Sequence, residues 1–265
     1  MANKGPIGFF DSGVGGTSIW REAVQLLPGE STIYLADSAN APYGEKSPAE
    51  IIQLSVKNTQ KLVDFGCKMI VIPCNTATTN AISYLREAFD LPFVGIEPAL
   101  KPAALFSKNK AIGILATKGT LSSALFAKTS SIYAREIQLI EVVGTGLVEL
   151  IEAGKIDGPE THRLLKIYLK PMIDARVDYL VLGCSHYPYL MTVLRELLPP
   201  EITIIDSGVA AARQIKAILT KNNLFATFAE TITVKHALYT NADTKVLKDL
   251  TKDVNHAKTV SYLDF

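Results

Sequence analysis

Short apolar runs rich in isoleucine and valine recur along the chain, separated by helix-length amphipathic segments. The runs cover residues 6–11, 32–36, 68–73, 93–96, 111–116, 137–143, 179–183 and 202–205, and they alternate little between apolar and polar positions. A strand with one wet face alternates with period two. Runs without that alternation predict strands covered on both faces, as in a parallel sheet flanked by helices. The intervening helices carry end signals. Ser47-Pro-Ala-Glu50 reads as a capping box with proline at the first helical position, and Gly66 stops that helix before the next strand. The expected fold class is α/β.

The two halves repeat this pattern. Ile7-Gly-Phe-Phe-Asp-Ser12 aligns with Ile112-Gly-Ile-Leu-Ala-Thr117, and Met69-Ile-Val-Ile-Pro-Cys74 aligns with Tyr179-Leu-Val-Leu-Gly-Cys184. Each half reads strand, helix, strand, helix, strand ending in cysteine, helix, strand. Two similar domains with parallel-type sheets are therefore expected. The first comprises residues 1–97 and 208–265, the second residues 98–207. The tail supplies a long helix and strand-like pieces at 231–239 and 258–263 that complete the first domain.

Composition narrows the field. The chain has 265 residues, 48% apolar and 20% charged, which suits folded domains with sizeable cores. A formal net charge of +1 gives no electrostatic footprint for nucleic acid or an anionic membrane. The lysine-rich piece Lys245-Val-Leu-Lys-Asp-Leu-Thr-Lys-Asp253 alternates signs and reads as a solvated helix face. The N-terminal MANKGPIGFF has no cationic head followed by a signal stretch, and no segment offers the roughly 18 apolar residues of a membrane span. Three cysteines make an odd number without zinc-type spacing, so a cytoplasmic protein with reduced thiols is expected.

Ligands of open parallel sheets bind beyond the carboxyl ends of the strands. The polar residues there are Asp11-Ser12, Asp37-Ser38, Cys74-Asn75-Thr76, Glu97, Thr117, Cys184-Ser185-His186 and Asp206. Bland readings exist for several of them. A lone cysteine at a strand end is most often a small buried hydrophobe, and Cys67 takes that reading. Cys74 and Cys184 do not, because they hold equivalent places in the repeat, each followed by polar residues. Asp11-Ser-Gly-Val-Gly-Gly16 resembles a phosphate loop only weakly, lacking the Walker lysine and the dinucleotide spacing. His162, His236 and His256 read as structural or exposed, and Pro42-Tyr-Gly44 is compatible with a plain turn.

If the two domains face each other, Cys74 and Cys184 approach one small ligand from opposite sides. Inverting a carbon stereocentre by proton transfer needs a base on one face and an acid on the other. A thiolate and a thiol form a workable pair near neutral pH. Each cysteine is followed by a sequence that reads as a helix start, so helix dipoles are expected to aid the thiolates.

Four motifs together resemble the signatures of bacterial glutamate racemase. They are Phe10-Asp-Ser-Gly-Val-Gly-Gly16, Ala36-Asp-Ser38 with Pro42-Tyr-Gly44, Pro73-Cys-Asn-Thr-Ala77 and Gly183-Cys-Ser-His-Tyr-Pro188. The resemblance implies an active site in an interdomain cleft, no cofactor, no metal, a homodimer and the supply of D-glutamate for peptidoglycan, hence a role in cell-wall biogenesis and cell shape. By that resemblance Cys74 and Cys184 are the acid/base residues for D- and L-glutamate respectively, assisted by Asp11 and His186. Asp11, Ser12, Tyr43, Gly44, Asn75, Thr76, Ser185 and His186 match substrate-binding positions, and Glu152, in the looser motif Leu150-Ile-Glu-Ala-Gly154, matches a further acidic one. Ser185 departs from the threonine usual there, keeping the hydroxyl and losing a methyl. The competing readings are an aspartate racemase, against which His186 argues, a cysteine hydrolase built on Cys184 and His186, and a small amino-acid-binding protein.

Overall fold

The structure is a computed structural model that describes residues 5–226, 234–254 and 258–265. The readings made for the first four residues, for 231–233 and for His256 lie outside the described residues. The strands, in chain order, are β1 (Ile7–Asp11), β2 (Thr32–Ala36), β3 (Met69–Ile72), β4 (Phe93–Gly95) and β5 (Ala111–Ala116). They continue as β6 (Gln138–Val143), β7 (Tyr179–Gly183), β8 (Thr203–Ile205), β9 (His236–Thr240) and β10 (Lys258–Tyr262). Two sheets result, with orders β10-β9-β2-β1-β3-β4 and β6-β5-β7-β8, and every strand pair is parallel.

The repeat seen in the sequence reappears as topology. The order β2-β1-β3-β4 has its counterpart in β6-β5-β7-β8. Even the register agrees: Ile7 pairs with Met69 as Ile112 pairs with Tyr179. Strands β9 and β10 extend the first sheet along the free edge of β2.

The weak alternation in the apolar runs follows from burial on both faces. In the first sheet Ile7, Phe9, Met69 and Val71 belong to one core cluster, while Phe10, Leu35, Ile70 and Ile72 belong to another. In the second sheet Leu115, Leu180 and Leu182 face one core, and Ile112, Ile114 and Val181 the other. The cluster holding Phe9 and Leu180 is continuous, so apolar packing runs from one sheet to the other. Truncating a buried residue such as Ile70 to alanine typically costs about 2–5 kcal/mol. The expectation of double cover fails at some sheet ends. Strands β6, β8 and β10, each at a sheet end, consist of exposed and half-buried residues, whereas Phe93 and Val94 of β4, also at a sheet end, are buried.

Helix ends follow local chemistry. Helix Pro48–Asp64 starts at a complete capping box on Ser47 and Glu50, and Gly66, at φ +74°, lets the chain turn into β3. Helix Gly208–Lys221, which follows β8, packs against helix Thr17–Leu26 of the first half. At the amino ends of the strands Lys68 and Glu30 form a buried ion pair, and Glu30 also accepts the Ala226 N–H at 2.8 Å. Removing one partner of such a pair typically costs about 3–5 kcal/mol. Among the described residues no helix is long and apolar enough to cross a membrane.

Candidate active site

Both repeat cysteines line one cavity. Its wall also includes Ser12, Pro42, Tyr43, Gly44, Asn75, Thr76, Thr117, Val148, Ser185 and His186. Cys74 follows β3 and Cys184 follows β7, the equivalent strands of the two sheets. The strand ends thus bring together almost every candidate residue. Asp11 and Asp37 sit behind the wall, bonded to Ser185 and Tyr43, and Ser38 bonds to Glu152; none of the three lines the cavity. Glu97 and Asp206 stand apart: Glu97 accepts from Thr129 at 2.7 Å, and Asp206 accepts the Gly208 N–H at 2.7 Å at the start of a helix. Neither lines the cavity.

The two sulfurs have different company. Cys74 is the N-cap of helix Asn75–Ala88, its Sγ accepting the Ala77 N–H at 3.4 Å and donating to Ser12 Oγ at 3.6 Å. Burial nevertheless pushes this thiol well above its ordinary range, and the Asp11 carboxylate adds to the effect. Asp11 is fully buried; its Oδ2 accepts the Gly16 N–H at 2.5 Å and the Ser185 hydroxyl at 3.2 Å. Burial raises the Asp11 carboxyl, partly offset by the charge of His186.

Cys184 Sγ lies 3.7 Å from His186 Nδ1, and His186 Nε2 lies 2.6 Å from Glu152 Oε1. Burial disfavours the imidazolium, yet the hydrogen bonds to Cys184 and Glu152 outweigh it and hold His186 well above the usual imidazole range. The helix expected directly after Cys184 is absent. A 3-10 turn, Tyr187–Leu190, intervenes with Pro188 inside it, and the helix begins only at Met191. Cys74 alone sits at a helix N-terminus, and there burial dominates over the dipole. The two sites are electrostatically unlike, a carboxylate beside one sulfur and an imidazole beside the other.

Glu152, the residue with the loosest motif, is central. Its Oε1 also accepts the Val14 N–H at 2.7 Å, and its Oε2 accepts from Ser38 Oγ at 2.7 Å. Contacts of this closeness explain the glycine-rich stretch. A side chain on Gly13 would collide with Glu152, and one on Gly15 with the His186 ring. The loop is glycine-rich to admit two side chains from the other half of the molecule, not a phosphate.

Two polar groups bear on ligand binding. Asn75 Nδ2 is buried and finds no hydrogen-bond partner among the described residues. Thr76 Oγ1 lies 2.8 Å from Thr117 Oγ1, so hydroxyls from both halves meet at the wall. Tyr43 lines the cavity, and its hydroxyl donates to Asp37 Oδ2 at 2.5 Å. Thr117 and Val148 were not among the predicted binding residues. Thr117 was visible as a strand-end hydroxyl equivalent to Ser12, whereas nothing in the sequence marks Val148. Cys67 lies outside the cavity against Gly8, and burial pushes its thiol up to about 12. His236 is buried with Nδ1 2.9 Å from Thr32 Oγ1, and His162 is paired with Asp157.

Two cysteines at equivalent strand ends, one from each sheet, thus line one cavity. Comparison with known proteins supplies the family. Residues 12–215 match the family described as Asp/Glu/Hydantoin racemase. The glutamate racemase of Ectopseudomonas mendocina is 46% identical over 226 residues, 85% of this chain and 86% of that protein. Among solved structures, a Bacillus anthracis glutamate racemase isoform superposes with a TM-score of 0.84 at 27% identity, covering 99% of this chain and 98% of its own. The Escherichia coli glutamate racemase, solved with L-glutamate and the activator UDP-MurNAc-Ala, gives 0.84 at 32% identity, covering 98% of each chain. The chain belongs to the Asp/Glu racemase family and, within it, to the glutamate racemases. The hydrolase reading would use Cys184, His186 and Glu152 and leave Cys74, in the same cavity, without a task.

Proposed function

We propose that the protein interconverts L- and D-glutamate without a cofactor, by proton transfer between the α-carbon and two thiols. The observation that carries this reading is that Cys74 and Cys184, at equivalent strand ends of the two sheets, line one cavity. In the L-to-D direction the Cys184 sulfur takes the α-proton, and the C–H electron pair is left on the carbon and its carboxylate. Cys74, kept as the thiol by burial, returns a proton to the opposite face. The reverse direction exchanges the roles. Asp11, buried behind Ser185 and close to Cys74, assists that thiol, while Asn75 Nδ2 and the hydroxyls of Ser12, Thr76 and Thr117 donate to carboxylate oxygens. No lysine or arginine lines the cavity, so neutral donors carry the anion binding. We further propose that the reaction supplies D-glutamate for peptidoglycan in the cytoplasm, and that the enzyme acts as a homodimer with units 1–97 plus 208–265 and 98–207.

The test is proton exchange in deuterated water, followed by NMR and polarimetry. The unmodified enzyme should racemise either enantiomer with deuterium entering the α-position. Cys74→Ser and Cys184→Ser should each lose racemisation by roughly a hundredfold or more, since serine is a far weaker acid/base near neutrality. Cys74→Ser should still wash the α-proton from L-glutamate only, and Cys184→Ser from D-glutamate only. Cys67→Ser should behave as the unmodified enzyme. Racemisation at the original rate by Cys74→Ser, or activity restored to dialysed enzyme by pyridoxal phosphate, would overturn the reading.

A further inference from the structure

Asp37 is a fully buried carboxylate for which the reaction above has no use. It opens the loop between β2 and helix Pro48–Asp64, the loop that brings Pro42, Tyr43 and Gly44 to the cavity. That loop consists of two 3-10 turns, Ser38–Asn40 and Tyr43–Glu45, neither of which has a side-chain cap. Its shape is held from behind instead. Asp37 Oδ1 accepts from Asn40 Nδ2 at 2.7 Å and from Asn241 Nδ2 at 2.6 Å. Its Oδ2 accepts from Tyr43 Oη at 2.5 Å and from Asn58 Nδ2 at 3.1 Å. All four donors are neutral, so the carboxylate is satisfied by aimed dipoles rather than by a counter-ion, and aimed dipoles fix positions.

Asn241 reaches this hub from the far end of the chain, just after β9. Its Nδ2 serves Asp37 while its Oδ1 accepts the Ala39 N–H at 2.9 Å, so one amide clamps both the carboxylate and the backbone of the loop. At the other end the fit is close: a side chain on Gly44 would press into Thr117, whose hydroxyl meets Thr76. A small displacement of Tyr43-Gly44 therefore changes the width of the cavity.

We propose that Asp37 and Asn241 are positioning residues that hold the cavity wall of Pro42, Tyr43 and Gly44 in place and thereby set the affinity for glutamate. The proposal rests on the reading of the site given above, and its test includes a measurement independent of that reading. Asn241→Ala, which removes a clamp at a half-buried position, should raise KM for both enantiomers about fivefold while kcat stays within about twofold; fivefold corresponds to about 1 kcal/mol. Asp37→Asn should raise KM further, and the double variant should fall short of the product of the two effects, because both act through one loop. Separately, iodoacetamide should alkylate Cys74 and Cys184 several-fold faster in Asn241→Ala than in the unmodified enzyme, with Cys67 unchanged, read by mass spectrometry. A merely structural Asn241 would lower the melting temperature and leave KM and alkylation alone. Unchanged alkylation of the cavity thiols overturns the proposal whether or not the enzyme turns over glutamate. Unchanged KM in an enzyme that racemises glutamate overturns it as well.

Discussion

Glu152→Gln isolates the charge of the carboxylate behind His186 from its shape. Glutamine keeps one oxygen to accept from Val14 N–H and His186 Nε2, and turns its NH₂ toward Ser38 Oγ, which accepts as readily as it donates. The fold should survive unchanged. What is lost is a charged acceptor 2.6 Å from an imidazole that is 1% exposed, with Glu152 itself only 15% exposed, so water does little to screen the change. A hydrogen bond to a charged group contributes about 1.5–3 kcal/mol, against about 0.5–1.5 for a neutral one. The difference, about 1–1.5 kcal/mol, lowers the preference of His186 for its proton by roughly fivefold to tenfold. In the unmodified enzyme the imidazolium persists to higher pH than usual, and the activity that depends on it is lost as pH rises through that raised value. In the variant that loss should begin at lower pH, so kcat/KM falls about tenfold on the alkaline limb and much less on the acid side. The assay is kcat/KM for glutamate across the pH range, followed by circular dichroism. A profile lowered equally at every pH, or an alkaline limb shifted upward, would refute this account of Glu152.

Two further outcomes follow from the same geometry. Glutamate should be preferred over aspartate by roughly a hundredfold in kcat/KM, because the shorter acid leaves distal donors unpaired at about 1–3 kcal/mol each; comparable values by polarimetry in one buffer would overturn this. Asp11→Asn should lose racemisation by roughly a hundredfold yet melt at a higher temperature near pH 8, since burial raises the Asp11 carboxyl and an ionised Asp11 weakens folding. The sign is that of a raised group: the penalty is absent below its unfolded pKa and complete above its folded one, so the gap in melting temperature should close on acidification. A variant less stable than the unmodified enzyme at pH 8 would contradict the assignment.

What could be read from the chain depended on how locally each feature is written. Doubly covered strands leave unbroken apolar runs, and a duplicated unit leaves matching runs, so β3 and β7 and the cysteines at their ends were visible before any coordinates. Glu152 was faint because it comes from a short helix, Leu147–Glu152, whose only mark is a loose motif, and its partners Val14, Ser38 and His186 lie far off along the chain. Of the hub, Asp37 and Tyr43 were marked by a strand end and a motif, but their partners left no pattern: Asn58 faces inward from the middle of a helix, and Asn241 follows a strand near the end of the chain. The stretch after Cys184 misleads because Ser-His-Tyr-Pro looks like a helix start, while its first turn is wound as 3-10. Strand β6, Gln-Leu-Ile-Glu-Val-Val, is apolar at four of six positions and so reads as a covered strand, yet it lies at a sheet end and is left half wet.

The unlike surroundings of the two sulfurs meet a constraint that no protein can alter. Mirror-image amino acids have equal free energies in water, so their equilibrium ratio is one and the two directions must share one value of kcat/KM. An active site with a carboxylate beside one thiol and an imidazole beside the other is lopsided in its chemistry but obliged to be even-handed in its efficiency. The lopsidedness can surface only as a matched trade, the enantiomer that turns over faster being the one held more weakly at half-saturation. Damage to either side, Glu152 included, must slow both directions by one common factor in kcat/KM.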